Sequence, residues 1–162
     1  MILSLEENTI GTDYLIGDIH GEFQQLSFQL EEIGFNPSTD RLICSGDLVD
    51  RGEQSHKVLE WLDKPWFYSA RGNHDSWIMD FLNASVRDLG HHYKHGGAWF
   101  YTLPRGEQEN IATRLLELPI GIEVPYNGKP YGVVHADVPG GDWNVFKEGA
   151  HIEQVCINAH GS

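Results

Sequence analysis

The segment Tyr14-Leu15-Ile16-Gly17-Asp18-Ile19-His20-Gly21 joins a short apolar run to a turn that glycines flank on both sides. The apolar run predicts a buried strand. Asp18 and His20 are two positions apart, so their side chains point the same way on an extended segment. The segment therefore predicts a strand that delivers a carboxylate and an imidazole to one polar site.

Two further segments repeat this arrangement. Residues 46–52 (GDLVDRG) follow the apolar run 41–45, and residues 72–75 (GNHD) follow the aromatic-rich run 66–70. Strands that alternate with helices predict a parallel sheet with right-handed crossovers. All three polar segments then lie past the carboxyl ends of parallel strands, where open α/β sheets bind their ligands. The helices themselves are predicted, from apolar residues at helical spacing, over residues 22–33, 54–62 and 75–82.

The second half of the chain predicts a helix over residues 107–118 and then a hairpin. The runs 120–124 and 131–134 are extended in character, and Asn127-Gly128 between them is typical of a two-residue turn. His135 follows the second run directly. We therefore expect a further ligand to reach the site from a different part of the sheet system.

Size and charge limit the classes of protein that this chain can represent. Its 162 residues fit one domain, residues 1–162, with a sizeable core. A net charge of −13 with 11 lysines and arginines argues against a nucleic-acid partner. No stretch has the length of a membrane span, and the first residues lack the basic region of a signal peptide. We expect a cytoplasmic protein that binds neither nucleic acid nor membranes.

The residue types in the polar segments predict a pair of divalent cations. Asp47 can bridge two cations, since a carboxylate has two oxygens, and Asn73 and His135 offer an amide oxygen and an imidazole. Carboxylate, amide and imidazole without thiolate suit Mn²⁺, Fe or Zn. One such segment alone is compatible with a simple turn. Three of them in order, each at the end of a strand, favour a dinuclear metal site.

Two residue groups near these segments receive structural interpretations. Asp75 predicts a cap for the helix that follows it. The polar stretch 83–97 predicts a loop or short helices that cover the site. We expect His91, His92 and His95 in this stretch to be solvated, because no acidic or thiolate partner is adjacent in sequence to make them a further metal site.

These motifs, together with residues 96–100 (GGAWF) and 135–139 (HADVP), resemble those of the phosphoprotein phosphatases, a family of metallophosphoesterases. The resemblance is to bacterial and bacteriophage serine/threonine protein phosphatases of the lambda-like branch, and it runs from about Tyr14 to about Gln154. It implies the calcineurin-like α/β/β/α sandwich, with a βαβαβ metal-site motif. It also implies a bacterial cytoplasm, or a host cytoplasm for a phage-encoded protein.

The resemblance further implies a role for each site residue. His74 is the general acid, Asp50 orients it, and a hydroxide that bridges the two metals attacks phosphorus directly. The metals are Mn²⁺ foremost, with Fe or Zn as alternatives. The remaining roles are a first metal bound by Asp18 and His20, a bridge made by Asp47, a second metal bound by Asn73 and His135, and phosphate binding by Arg51 and Arg71.

The chain departs from the family at its C-terminal end. The family carries a further histidine ligand in a Gly-His-Thr-like turn and an arginine in a Trp-x-Arg-like segment, and neither occurs here. His160 is not expected to replace the histidine, because it stands at a chain end. The closing strands of the second sheet are also missing, which predicts an exposed sheet edge that a second copy of the chain covers. A natural, a truncated and a frameshifted C-terminus all remain open.

Three functions follow from these observations. The first is a phosphomonoesterase that acts on phosphoserine and phosphothreonine in proteins or peptides, and on small aryl phosphates. The second is a symmetrical dinucleoside-tetraphosphate hydrolase, which shares the first three motifs. The third is a truncated, catalytically weak relative that binds phosphate or metal.

Overall fold

The computed structural model describes residues 1–79 and 89–149. Three short 3₁₀ turns accompany the main elements, at Ser55–Lys57, Gly97–Thr102 and Pro139–Gly141. The strands are β1 (Ile2–Ser4), β2 (Asp13–Ile16), β3 (Arg41–Cys44), β4 (Phe67–Ser69), β5 (Gly121–Tyr126) and β6 (Lys129–Val133). The helices are α1 (Phe23–Glu32), α2 (Val58–Leu62), α3 (Asn73–Met79), α4 (Leu89–Lys94), α5 (Arg105–Leu116) and α6 (Trp143–Gly149).

The first sheet has the order β2-β3-β4, and both pairings are parallel. Tyr14 lies opposite Leu42, which in turn lies opposite Phe67. The predicted βαβαβ unit is therefore confirmed, and the three polar segments follow the carboxyl ends of its three strands. The part of the third predicted helix beyond residue 79 lies outside the described residues.

The second sheet has the order β1-β5-β6 and mixes the two orientations. β5 and β6 form the predicted antiparallel hairpin, and Asn127 and Gly128 both have positive φ, at 50° and 71°. These dihedrals are the ones that a two-residue hairpin turn requires. β1 pairs in parallel with β5 and was not predicted, because three residues are too short to show a pattern. His135 follows β6, so the second sheet does supply a residue to the site.

The two sheets pack face to face between helices. Leu42 and Ile43 alternate on β3, and each is buried on a different side of the sheet. The Leu42 side packs against the helices, with Phe23 of α1 and Leu115 of α5 in the same buried cluster. The Ile43 side faces the second sheet, in a cluster with Ile122 of β5. Burial on both faces of a parallel strand gives the predicted α/β/β/α arrangement.

Glycine ends the first helix as the sequence predicts. Gly34 has φ of 71°, and the N–H of Phe35 donates to the carbonyl of Leu30 at 2.9 Å. This is the Schellman arrangement, in which the residue after the helix adopts the left-handed conformation.

Among the described residues, no helix combines the length and the apolarity needed to cross a membrane.

We expect the Asp13→Asn variant to lose stability at neutral pH. Arg41 forms a bidentate pair with Asp13, at 2.7 and 2.6 Å, and so joins the starts of β2 and β3. Burial raises the pKa of Asp13, but hydrogen bonds from Arg41 and Asn8 outweigh it and hold the pKa below its usual range. We expect a loss of roughly 1–2 kcal/mol in the free energy of unfolding at pH 7.

The pH dependence of this loss follows from the lowered pKa. A carboxylate with a depressed folded pKa stabilises above its unfolded pKa, and the contribution disappears as the pH falls through the folded value. The difference between Asp13→Asn and the parent in urea titrations should therefore shrink below about pH 4. Glu109→Gln is the matched control, since Glu109 pairs with Arg105 on the exposed surface of α5. A pH-independent difference would contradict the assignment.

Candidate metal centre

The loops that follow the strands of the first sheet have unusual backbone conformations. His20, Asp47, Asp50 and Arg51 all have positive φ, between 46° and 73°. Among the described residues these are four of the five non-glycine positions with positive φ. Each such position costs roughly 1–3 kcal/mol and persists where the surrounding structure imposes it. Their concentration in two short loops marks this edge of the sheet as a site.

Hydrogen bonds between backbone groups join the first loop to the second. The N–H groups of Ile19 and His20 both donate to the carbonyl of Asp47, at 3.1 and 2.9 Å. Gly21 donates to the carbonyl of Leu48 at 2.9 Å. These bonds fix the positions of His20 and Asp47 relative to each other.

Asp75 joins the second loop to the third. Its fully buried carboxylate accepts the backbone N–H of Asp47, Leu48 and Gly72, at 3.0, 3.0 and 2.9 Å. The bond from Gly72, the residue before α3, is the one expected for a helix cap. The other two bonds reach a different strand end, so the simple cap interpretation was incomplete. Burial raises the pKa of Asp75 to about 7, against the hydrogen bond from Gly72.

The two oxygens of Asp47 face histidines from different sheets. Oδ2 lies 3.6 Å from Nε2 of His20, and Oδ1 lies 3.5 Å from Nε2 of His135. Oδ1 also accepts the backbone N–H of His74 at 2.9 Å. This placement is compatible with the predicted bridging role of Asp47.

Asp18 and Asn73 complete the ring of oxygens. Asp18 Oδ2 lies 3.7 Å from His20 Nε2, and Asp18 Oδ1 lies 3.8 Å from His135 Nδ1. Asn73 Oδ1 lies 3.0 Å from His135 Nε2. The side chain of Asp18 is 49% exposed, so the ring opens to solvent on this side.

The hydrogen bonds of the two histidines indicate whether the ring can hold cations. Nδ1 of His20 donates to the carbonyl of Val49 at 3.0 Å, which assigns the proton to Nδ1 and leaves the Nε2 lone pair facing the carboxylates. Nδ1 of His135 is buried and has no hydrogen-bond partner among the described residues. Oxygen and imidazole donors without thiolate fit Mn²⁺, Fe or Zn. The residues present therefore fit divalent cations.

His74 and Asp50 form a buried pair beside this ring. Nδ1 of His74 lies 2.7 Å from Oδ2 of Asp50, and Nε2 of His74 lies 4.0 Å from Oδ2 of Asp47. Burial raises the pKa of Asp50, but hydrogen bonds from His74, His92 and Trp99 outweigh it and lower the pKa below its usual range. Asp50 is therefore a carboxylate, and it fixes the Nδ1 proton of His74.

Arg51 lies at the centre of the site. Its Nη1 is 2.7 Å from Nε2 of His20, and its Nη2 is 3.1 Å from Nε2 of His74. Arg71 is placed differently, since its Nη1 donates to the carbonyl of Leu116 at the end of α5, at 3.2 Å. Contact of Arg71 with a phosphate stays a prediction.

The structure thus brings eight of the nine predicted site residues into one connected group. Ligand atoms of His20, Asp47 and His74 lie within 4.8 Å of one another. The group consists of Asp18, His20, Asp47, Asp50, Arg51, Asn73, His74 and His135. His160 lies outside the described residues.

Sequence reasoning missed two residues that hold Asp50. His92 is buried, at 3% exposure, and its Nε2 lies 3.0 Å from Oδ1 of Asp50. The expectation that it is solvated is wrong for His92, whereas His91 and His95 are exposed as expected. Trp99 Nε1 donates to the same oxygen at 2.8 Å. The GGAWF segment contained the signal for Trp99, but no local pattern distinguishes His92 from the histidines beside it.

Comparisons with known proteins agree with this geometry. A family model described as calcineurin-like phosphoesterase matches residues 14–153. Serine/threonine-protein phosphatase 2 of Escherichia coli (strain K12) is 38% identical over 143 residues, which are 86% of this chain and 65% of that protein. The symmetrical bis(5'-nucleosyl)-tetraphosphatase of Methylococcus capsulatus (strain ATCC 33009 / NCIMB 11132 / Bath) is 32% identical over 133 residues, 81% of this chain and 44% of that protein.

One solved structure is similar in fold as well as in sequence. The crystal structure of a candidate diadenosine tetraphosphatase has a TM-score of 0.59 and 29% identity, and the match covers 76% of this chain and 50% of that one. The chain spans less than two thirds of the length of each of these three proteins.

Proposed function

Because the chain belongs to the calcineurin-like phosphoesterase family, we propose that it is a metal-dependent phosphomonoesterase acting on phosphoserine and phosphothreonine. The observation that carries the proposal is the His74–Asp50 pair, 2.7 Å apart, set against the ring of candidate metal ligands around Asp47. A site that only bound phosphate would not need a buried, oriented imidazole. The 38% identity to a bacterial serine/threonine-protein phosphatase supports the choice of substrate.

The residues of the chain divide the chemistry among them. Asp18, His20, Asp47, Asn73 and His135 would hold two divalent cations, foremost Mn²⁺. Such cations lower the pKa of water and neutralise charge on phosphoryl oxygens. The guanidinium of Arg51, whose two Nη atoms contact His20 and His74, would turn to bind two phosphoryl oxygens of the substrate at once.

We assign protonation of the leaving group to His74. Asp50 holds the Nδ1 proton of His74. Nε2 accepts from Nη2 of Arg51 at 3.1 Å, so the reaction needs Arg51 to turn to the phosphate before Nε2 can carry the second proton. Transfer of the Nε2 proton to the departing oxygen converts a serine or threonine alkoxide into a neutral alcohol. The negative charge of Asp50 stabilises the imidazolium before the transfer.

A second candidate function is symmetrical hydrolysis of dinucleoside tetraphosphates. It is supported by the 32% identity to the Methylococcus capsulatus tetraphosphatase and by the TM-score of 0.59 to the candidate diadenosine tetraphosphatase. The same metal ligands and the same His74–Asp50 pair would serve this reaction. The two functions differ in the group that leaves phosphorus, an alcohol in the first and a nucleotide in the second.

Direct comparison of substrates tests the proposal. The Mn²⁺-loaded protein should release inorganic phosphate from a phosphoserine peptide and from p-nitrophenyl phosphate. Its kcat/KM for the peptide should exceed that for diadenosine tetraphosphate by at least about tenfold, a difference of about 1.4 kcal/mol in transition-state binding. The reverse preference would favour the tetraphosphatase. Two bound metals with no turnover of any of the three would overturn both enzymatic functions in favour of a binding role.

Location and assembly are part of the proposal. We place the protein in the cytoplasm, where a free buried thiol such as that of Cys44 stays reduced.

We also propose that a second copy covers an apolar groove of about 400 Å³ lined by the exposed residues Leu15, Tyr126 and Tyr131. Light scattering at micromolar concentration should then give the mass of a dimer, and a monomer would refute this assembly.

A further inference from the structure

Three side chains hold Oδ1 of Asp50, the carboxylate oxygen that does not contact His74. His92 and Trp99 contact it directly, and Tyr101 acts through His92. Oδ1 of Asp50 accepts from Nε2 of His92 at 3.0 Å, and Nδ1 of His92 lies 2.9 Å from the hydroxyl of Tyr101. Trp99 Nε1 donates to the same Oδ1 at 2.8 Å. Oδ2 is left to His74 alone among the bonds described. Oδ1 therefore has two hydrogen-bond donors, and Oδ2 faces Nδ1 of His74.

We propose that His92 is a positioning residue for the general acid: it holds the carboxylate of Asp50 so that Oδ2 stays on Nδ1 of His74. This inference rests on the proposed phosphomonoesterase function, because it acts through the proton that His74 transfers. His92 contacts neither the candidate metal ligands nor the phosphate-binding Arg51 in the described contacts.

The network assigns the proton positions on His92. A carboxylate only accepts hydrogen bonds, so Nε2 of His92 carries the proton that goes to Oδ1 of Asp50. The hydroxyl of Tyr101, 2.9 Å from Nδ1, can then donate to that nitrogen. Two donors on one oxygen also prevent the carboxylate from rotating, since rotation would leave a buried donor unsatisfied.

The ring of His92 packs directly against the backbone at Gly97, where a larger residue would not fit. A Cβ atom added to Gly97 would collide with the ring of His92, and the ring is 6.1 Å from that of Phe100 in an edge-on contact. The neighbouring Gly96 accepts the backbone N–H of Arg51 at 3.4 Å. The segment of residues 96–101 thus fixes Asp50, the ring of His92 and the backbone of Arg51 together.

The dependence of rate on the leaving group separates positioning from a general structural role. The p-nitrophenolate anion leaves without protonation, whereas a serine alkoxide needs the proton of His74. If a substitution only lowers the fraction of folded enzyme, both activities fall by the same factor. A variant that misplaces Asp50 loses the activity on phosphoserine selectively.

The central test is His92→Leu in the full chain, loaded with Mn²⁺. We expect kcat on a phosphoserine peptide to fall about 100-fold and kcat on p-nitrophenyl phosphate to fall less than about threefold. In His92→Gln the amide N–H can replace the Nε2 donor, so the selective loss should drop to about tenfold. His95→Gln, an exposed histidine directly after the same helix, is the matched control and should leave both rates unchanged. Equal losses on both substrates in His92→Leu would overturn the proposal.

Two further measurements keep the proposal testable if His92→Leu does not fold or if no phosphate ester is turned over. Gly97→Ala keeps the imidazole but pushes it off Asp50, and it should reproduce the selective loss. Nuclear magnetic resonance of the ring protons needs no turnover. The Nδ1 proton of His74 should give a downfield signal in the parent and in His95→Gln that shifts or disappears in Gly97→Ala and His92→Gln. An unchanged signal would refute the role of His92 and leave the proposed function untouched, whereas absence of turnover in the parent would refute the function alone.

Discussion

The Asp47→Asn variant should lose phosphate release from every substrate, by at least about 10³-fold, because several kcal/mol of transition-state stabilisation would depend on the proposed pair of cations. Each oxygen of Asp47 faces a histidine from a different sheet, at 3.6 and 3.5 Å. An amide has one oxygen donor and no charge, so it cannot serve both sides. It can still accept the backbone N–H of His74, a bond of 2.9 Å in the parent, which preserves the loop.

Metal content is the decisive measurement for this variant. Elemental analysis after dialysis against Mn²⁺ should give two ions per chain for the parent and fewer for Asp47→Asn, while circular dichroism should show an unchanged fold. Asp63→Asn is the control, since Asp63 is 66% exposed and pairs with Arg114 away from the site. Two ions and full turnover in Asp47→Asn would show that the carboxylate is not a bridge.

The His74→Asn variant should lose about 10²- to 10⁴-fold in kcat on a phosphoserine peptide, which is the usual contribution of a general acid. The loss on p-nitrophenyl phosphate should be much smaller, because its leaving anion needs no proton. The amide nitrogen of asparagine can replace Nδ1 as the donor to Asp50, so the buried carboxylate keeps a partner.

Metal content also distinguishes the two roles that His74 could have. Its Nε2 lies 4.0 Å from Asp47 Oδ2, close enough to suggest a ligand. A general acid predicts that His74→Asn keeps two Mn²⁺ ions, as the exposed His56→Asn control should. Loss of an ion together with equal losses on both substrates would make His74 a ligand instead.

Local sequence was sufficient for the parts of the fold that local chemistry decides. The strands of the first sheet are short apolar runs followed by glycine-containing turns. Left-handed backbone at Gly34 ends the first helix, and at Asn127-Gly128 it forms the hairpin turn of the second sheet. The helix predicted over 54–62 is only partly α-helical, because it starts with a 3₁₀ turn at Ser55–Lys57. Ser55 Oγ there accepts the N–H of Asp50, so this turn is joined to the loop that carries Asp50.

The parts that sequence could not predict depend on distant contacts. β1 has three residues, and it is a strand because β5, about 120 positions away, pairs with it. His92 and Trp99 lie 42 and 49 positions from Asp50. No local pattern distinguishes His92, and the motif that contains Trp99 does not show which residue Trp99 contacts. The eight residues that did come together were predictable because each occupies a strand end of a recognisable unit.

The proposed metal ligands come from both sheets, and this division has a consequence for folding. Asp18, His20 and Asp47 belong to loops of the first sheet, and His135 follows β6 of the second. A divalent cation held between them would link the two sheets. Its binding free energy adds to the stability of the folded chain in proportion to the logarithm of its concentration. The thermal stability of the folded chain would then rise with the concentration of the divalent cation that these residues bind.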